Sequence, residues 1–252
     1  MNPRSALVAI GLAALPSLLT AQAPGRWPPD SLVNTKVIPR NTPVIQVVGM
    51  MRNITSALGV RCQFCHVGEE GMPLERFDFA RDEKRTKLVA RQMMLMVQEI
   101  NRRLDTLPEH EHAGPPLQVT CTTCHRGVSR PMPLETLIQA TATAAGADSA
   151  TRLYRALRER YYGRGSYDFG EPTLSIAAFR LGREGRFDEA FALLRVNEEL
   201  FPGSSAMYVF RGNLNLMRGD TTAAAIAFRE AVRRDPTNEE AKGRLSAIGR
   251  AP

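Results

Sequence analysis

Cys62-Gln63-Phe64-Cys65-His66 and Cys121-Thr122-Thr123-Cys124-His125 are two copies of Cys-x-x-Cys-His, and together they use all four cysteines of the 252-residue chain. The spacing is the attachment signature of c-type haem. Thiols three positions apart can each form a thioether to a vinyl group of one porphyrin. The adjacent histidine then reaches the iron from the face that the peptide covers. One copy alone is compatible with a redox dithiol or half a zinc site. In an exported chain, four cysteines by themselves read as two disulfides, but a disulfide has no need of a histidine directly after each second cysteine. The reading is therefore two covalently bound haem c groups, held by Cys62, Cys65, Cys121 and Cys124, with His66 and His125 as ligands of the two irons.

The start of the chain agrees with export. Residues 1–23 read as a secretory signal, with Arg4 near the start, an apolar run over 6–19 and Ala21-Gln22-Ala23 before Pro24. The run is short and interrupted by Pro16, so a cleaved signal is preferred to a membrane anchor. Haem c is assembled outside the cytoplasm, so a periplasmic location is expected, with membrane association left open. The net charge of +7 is partly offset by the propionates that two haems bring. No zinc finger, aromatic-basic strand or long basic run accompanies that charge, so nucleic acid is not an expected partner.

The sixth ligand decides whether such an iron carries electrons or binds small molecules. Of the four histidines, His66 and His125 belong to the motifs, and His110 and His112 sit too close together to serve two irons. Methionine is the natural alternative. Met50 and Met51 precede the first motif, and Met93, Met94 and Met96 precede the second. A helix over 42–58 is expected, with Pro43 at its first position and Gly59 as its stop. Its apolar stripe is Val44, Val47, Val48, Met51, Ile54 and Leu58, which includes Met51 and leaves out Met50. A second helix over 82–104 carries Val89, Met93, Met96, Val97, Ile100 and Leu104 on one side. Met93 and Met96 are expected to face inward, and Met94 outward with Lys87, Arg91 and Gln98. Core packing is the competing use for all five methionines.

A methionine-bearing helix followed by an attachment motif resembles the unit of the cytochrome subunit of photosynthetic reaction centres, a multihaem family. Three stretches carry the likeness: residues 51–62, running through Leu58-Gly59 into Cys62; Thr86-Lys87-Leu88-Val89-Ala90-Arg91-Gln92-Met93; and residues 119–127 around the second motif. The resemblance covers about residues 35–135. It implies Met51 and Met93 as sixth ligands and an electron-transfer role. The family proteins carry four haems where this chain has two motifs, so the photosynthetic role is not carried over. Phe77 and Phe79 are candidates to pack on a porphyrin face, and Arg126 and Arg130 to pair with propionates.

Composition changes after Pro133. An Ala-rich stretch leads to a charged helix over 151–162, and a 34-residue period follows, with Phe201-Pro202 echoed by Asp235-Pro236. Gly185 matches Gly219, Ala190 matches Ala224, and Leu194 matches Phe228. The pattern resembles tetratricopeptide repeats, with helices over 173–183, 188–200, 204–218 and 221–234 and a closing helix over 238–248. Such a region offers a docking surface for a protein or peptide.

The sequence thus implies a mostly α protein made of multihaem cytochrome c units and a C-terminal region of α-helical hairpin repeats. Its expected divisions are a signal at 1–23, a di-haem domain at 24–133, a linker and helix at 134–170, and repeats at 171–252. Its expected work is single-electron transfer between redox partner proteins, not catalysis. A di-haem peroxidase and a docking protein with structural haem are the alternatives.

Overall fold

Helix punctuation written into the sequence sets the architecture. The structure, a computed structural model, describes residues 27–107 and 117–249. The signal expected at 1–23 and the pair His110 and His112 lie outside the described residues. The chain is mostly helical, and no strand occurs among the described residues. Its packing divides it into two units, one of residues 1–49 with 62–94 and one of 50–61 with 95–252.

Helix α1 spans Val44–Leu58. Pro43, with its fixed φ, accepts the first helical bonds from Gln46 and Val47 at 2.9 and 3.2 Å. Gly59, at φ +66°, ends the helix, and the Val60 amide returns to the Thr55 carbonyl at 3.0 Å. That pair forms a Schellman stop, which needs a residue tolerant of the left-handed region. The expected stripe of α1 is partly covered along its length, and Ile45 and Met50 stand exposed beside it.

Helix α2 spans Arg85–Leu104. Its N-terminal half lies in the first unit, and the face it turns to the protein is not the one the sequence suggested. Lys87 is 8% exposed, whereas Met93 and Met96 are 39% and 47% exposed. Met94, expected to point outward, is the better covered methionine. The reason is electrostatic: Lys87 Nζ donates to the carbonyls of Phe79, Ala80 and Arg81 at 2.9, 3.0 and 2.7 Å. A buried ammonium whose donors are all satisfied costs little, so it takes the inward place from the apolar stripe.

In the second unit, the short helix α3 (Cys121–His125) is followed by α4 (Leu134–Tyr161), α5 (Pro172–Arg183), α6 (Phe187–Leu200), α7 (Ser205–Met217), α8 (Thr221–Arg234) and α9 (Glu239–Ala247). Helix α4 is two arms joined at Gly146, whose φ of 79° and ψ of 175° are not helical. Both arms join the core: Leu134, Ile138 and Ala142 from the first, Ala150 and Tyr154 from the second. The period-matched Ala190 and Ala224, and Leu194 and Phe228, are all fully buried in that same core. Side chains of Ser204, Asp220 and Asn238 accept from the amides three residues on and open α7, α8 and α9. Each fully buried Leu or Phe contributes about 1.5–3 kcal/mol, so this core dominates the apolar stabilisation. Among the described residues before Leu134, Ala57 is the single fully buried apolar side chain.

Candidate haem-attachment sites

The first motif is one turn of 3-10 helix, Cys62–Phe64, continued by the Cys65 and His66 amides bonding back to the Cys62 carbonyl at 3.2 and 3.0 Å. A helical turn sets residues three apart on one side, which is what a pair of thioethers on one porphyrin requires. Both thiols are free and partly exposed. Lys84 Nζ bonds the Gln63 carbonyl, and Thr86 Oγ1 the Phe64 carbonyl at 2.5 Å, so the start of α2 holds the turn in place.

After His66 the chain folds back. Val67 and Asp78 form an antiparallel bridge, and the Asp78 amide bonds the Val67 carbonyl at 2.9 Å. Gly68 has no Cβ because the Phe77 ring occupies that space, 2.6 Å from where one would sit. The closure carries Phe79 to the His66 ring, edge to face at a centroid distance of 4.9 Å. Phe77 and Trp27 pack on Phe79 in turn, at 5.5 and 4.9 Å.

Beneath this aromatic group lies a polar knot. Lys87 caps three successive carbonyls and pairs with Asp82 at 3.0 Å. Arg91 pairs with the other Asp82 oxygen at 2.9 Å and donates to the Asn34 carbonyl at 3.0 Å. Asn34 donates to the Ala80 carbonyl at 2.5 Å. Arg91, Asn34 and Lys87 hold the Asp82 carboxyl well below its ordinary range, so it stays ionised. Burial and then the Lys87 charge push His66 down to about 4, against a polar contact with the Phe79 backbone. The ring is therefore neutral near pH 7, as a metal ligand must be.

The second motif is the whole of α3. The Thr120 amide donates to Thr123 Oγ1 at 3.0 Å, the return half of a capping box. Cys121 is partly buried, Cys124 is exposed, and both are free. Arg126, at φ +48°, and Gly127, at φ +86°, turn the chain so that the Val128 carbonyl meets His125. His125 Nδ1 donates to it at 2.8 Å, which leaves Nε2 as the nitrogen with a free lone pair. The Gly127 amide also donates to the Ala57 carbonyl at 2.8 Å, tying this turn to the end of α1. Ser166 Oγ donates to the Arg126 carbonyl at 2.6 Å, and Asn101 both donates to and accepts from Val119, at 2.9 and 2.8 Å.

The residues fit haem c. Each motif offers two free thiols on one turn and an imidazole. Helix α2 adds an apolar face, with Leu88, Val89, Met93, Leu95 and Met96 all exposed. The first unit contains the first motif and Met93, and the second unit contains the second motif and Met51. That division departs from the simple order of a methionine helix with the motif that follows it. Phe79 stands against His66, while Arg126 is exposed and its carbonyl, not its guanidinium, is engaged. Sequence reasoning missed the knot of Asn34, Asp82, Lys87 and Arg91, and the Val128 carbonyl. The knot's signal was faint, a Lys and an Arg four apart on a helix beside an acidic loop. A backbone carbonyl leaves no signal at all.

Residues 68–157 match the family described as photosynthetic reaction centre cytochrome C subunit. The matched stretch contains Met93 and the second motif and begins after His66. A curated relative, the photosynthetic reaction center cytochrome c subunit of Thermochromatium tepidum, is 32% identical over 91 residues, which is 33% of this chain and 21% of the relative. The chain thus spans about a fifth of the length of that relative. No solved structure matches the chain. No helix among the described residues is long and apolar enough to cross a membrane.

Proposed function

We propose that this chain is an exported di-haem c-type cytochrome that carries single electrons between redox partner proteins. The observation that carries the reading is a pair of independently braced turns, each presenting two free cysteines three apart and an imidazole neutral or oriented for a metal. Haem c, when bound, supplies a one-electron iron couple. The chain's own residues do the rest. Cys62, Cys65, Cys121 and Cys124 anchor, while His66 and His125 ligate. Met51 and Met93 are the proposed sixth ligands, and the exposed apolar face of α2 excludes water. Thioether ligation favours the reduced iron and closes the site to small molecules.

The proposed organisation is a signal at 1–23, a di-haem domain at 24–133, a linker and helix at 134–170 that packs into the following core, and a helical hairpin domain at 171–252. The last resembles tetratricopeptide repeats and is assigned to partner docking. Residues of α7 and α8 line a cleft there, among them Tyr208, Arg211, Asn215, Ile226 and Arg233. Association with a membrane complex is proposed from the relative, whose name makes it a reaction-centre subunit.

The mass of the purified mature chain tests the reading. It should equal the signal-free polypeptide plus two haems, and the oxidised protein should show a methionine-to-iron charge-transfer band. A colourless chain after acid-acetone extraction, with four free or cross-linked thiols, refutes haem attachment. Two haems without that band refute the methionine ligands.

A further inference from the structure

The two attachment sites differ in what surrounds the imidazole. At the second, the outer nitrogen of His125 is hydrogen-bonded to the Val128 carbonyl at 2.8 Å. Such a bond makes the ring a more basic ligand and favours the ferric state. At the first, His66 Nδ1 is buried and makes only a polar contact with the Phe79 backbone, short of a hydrogen bond. The first site also carries an excess of fixed positive charge. Lys84 bonds the Gln63 carbonyl inside the motif, and Lys87 and Arg91 share one carboxylate, Asp82. The Lys87 and Arg91 side chains are 10% and 15% exposed, so water screens them weakly. Arg81, in the same loop, is 59% exposed and meets Asp78 and Glu83, which leaves it largely screened.

Both differences have the same sign. Adding an electron to an iron is easier beside uncompensated positive charge and harder against a more basic ligand. Lys87 has a second effect as well. Its three carbonyl contacts fix the strand of chain that sets Phe79 on the His66 ring. We infer that Lys87 is a positioning residue that holds the Cys62–His66 site at the higher of the chain's two midpoint potentials. The inference rests on the proposed di-haem reading and adds to it an order between the sites.

Redox titration of the full chain tests it, with haem content taken from the mass of each variant. Cys62→Ala with Cys65→Ala should leave one haem, and its midpoint should coincide with the lower one of the unaltered protein. Lys87→Gln should lower the higher midpoint alone, by about a tenfold fall in the ferrous-to-ferric ratio at fixed potential, or about 59 mV for one electron. Lys87→Arg should leave it in place, and Asp82→Asn should raise it. A purely structural knot predicts no such opposition, because both changes break the Lys87–Asp82 pair. Should Lys87→Gln shed the first haem, the sign of the Asp82→Asn shift decides. A first-site midpoint below the second, or shifts of one sign from Lys87→Gln and Asp82→Asn, overturns the inference and leaves the di-haem reading standing. Fewer than two haems in the unaltered chain overturns both.

Discussion

Gly59→Ala is the sharpest test of how the second attachment site is braced. Gly59 sits at φ +66°, and a Cβ there would lie 2.2 Å from the Gly127 carbonyl oxygen and 2.9 Å from its carbon. The backbone conformation alone costs a non-glycine residue about 1–2 kcal/mol. The overlap is with main chain, which has no rotamer to yield, so the turn after α3 must move away. That movement breaks the Gly127 amide bond to the Ala57 carbonyl, now 2.8 Å. Losing it adds about 0.5–1.5 kcal/mol, for a total of about 1.5–3.5 kcal/mol. Gly185→Ala is the control, since Gly185 has φ +77° and nothing within 4 Å of its would-be Cβ. It should pay the conformational part alone. The assay is urea unfolding followed by helical circular dichroism, with haem content read by mass. The expected result is a lower midpoint for Gly59→Ala than for Gly185→Ala and reduced loading of the second motif. Equal midpoints with full loading would refute the claim that this backbone approach holds the site.

Met51→His and Met93→His should each lower one midpoint, a different one in each case, because imidazole favours ferric iron more than a thioether does; an unmoved pair of midpoints rejects that methionine. A fragment of residues 134–252 should fold to a helical monomer with a cooperative melt, whereas 171–252 should not, because it strips Leu134, Ile138, Ala142, Ala150 and Tyr154 from the core. Circular dichroism of the two fragments decides this. Burial alone would raise the Glu198 carboxyl, but the Tyr208 hydroxyl and Arg211 outweigh it and hold it below its ordinary value. A carboxyl depressed by folding stabilises the fold above its unfolded value, and that contribution is lost as pH falls through the folded one. Glu198→Gln should therefore flatten the acid side of a stability-against-pH curve, and an unchanged curve would refute the coupling.

What the sequence disclosed follows from how each feature is encoded. The proposed haem attachment needs particular atoms at fixed spacing, so both motifs stand out in the sequence itself. Helix α1 was legible from Pro43 and Gly59, and the helix expected over 221–234 is Thr221–Arg234 in the structure. Those helices follow rules of capping and period that lie within a short window. The packed face of α2 was not legible, because an apolar stripe marks burial only when no better-satisfied group competes for it. Lys87 wins that competition through carbonyls six to eight residues away, in a loop with no regular pattern. The two arms of α4 were hidden for a related reason. The Ala-rich stretch was expected only to lead into a helix over 151–162, yet α4 begins at Leu134, bends at Gly146 and keeps both arms in the core.

The two halves of the chain solve the stability problem by different means, and the difference bears on function. From Leu134 onward, ordinary apolar packing fixes the helices. Before it, main-chain carbonyls do that work: Phe79, Ala80 and Arg81 bind Lys87, Val119 binds Asn101, Ala57 binds the Gly127 amide, and Val128 binds His125. Hydrogen bonds of this kind fix backbone position without consuming apolar surface. Leu88, Val89, Met93, Leu95 and Met96 of α2 thus remain unspent on internal packing. A core of the usual sort would have covered those side chains and left a porphyrin nothing to lie against. On the proposed reading, polar bracing of the attachment turns is the condition under which a haem, not the protein, would complete the apolar interior of this half.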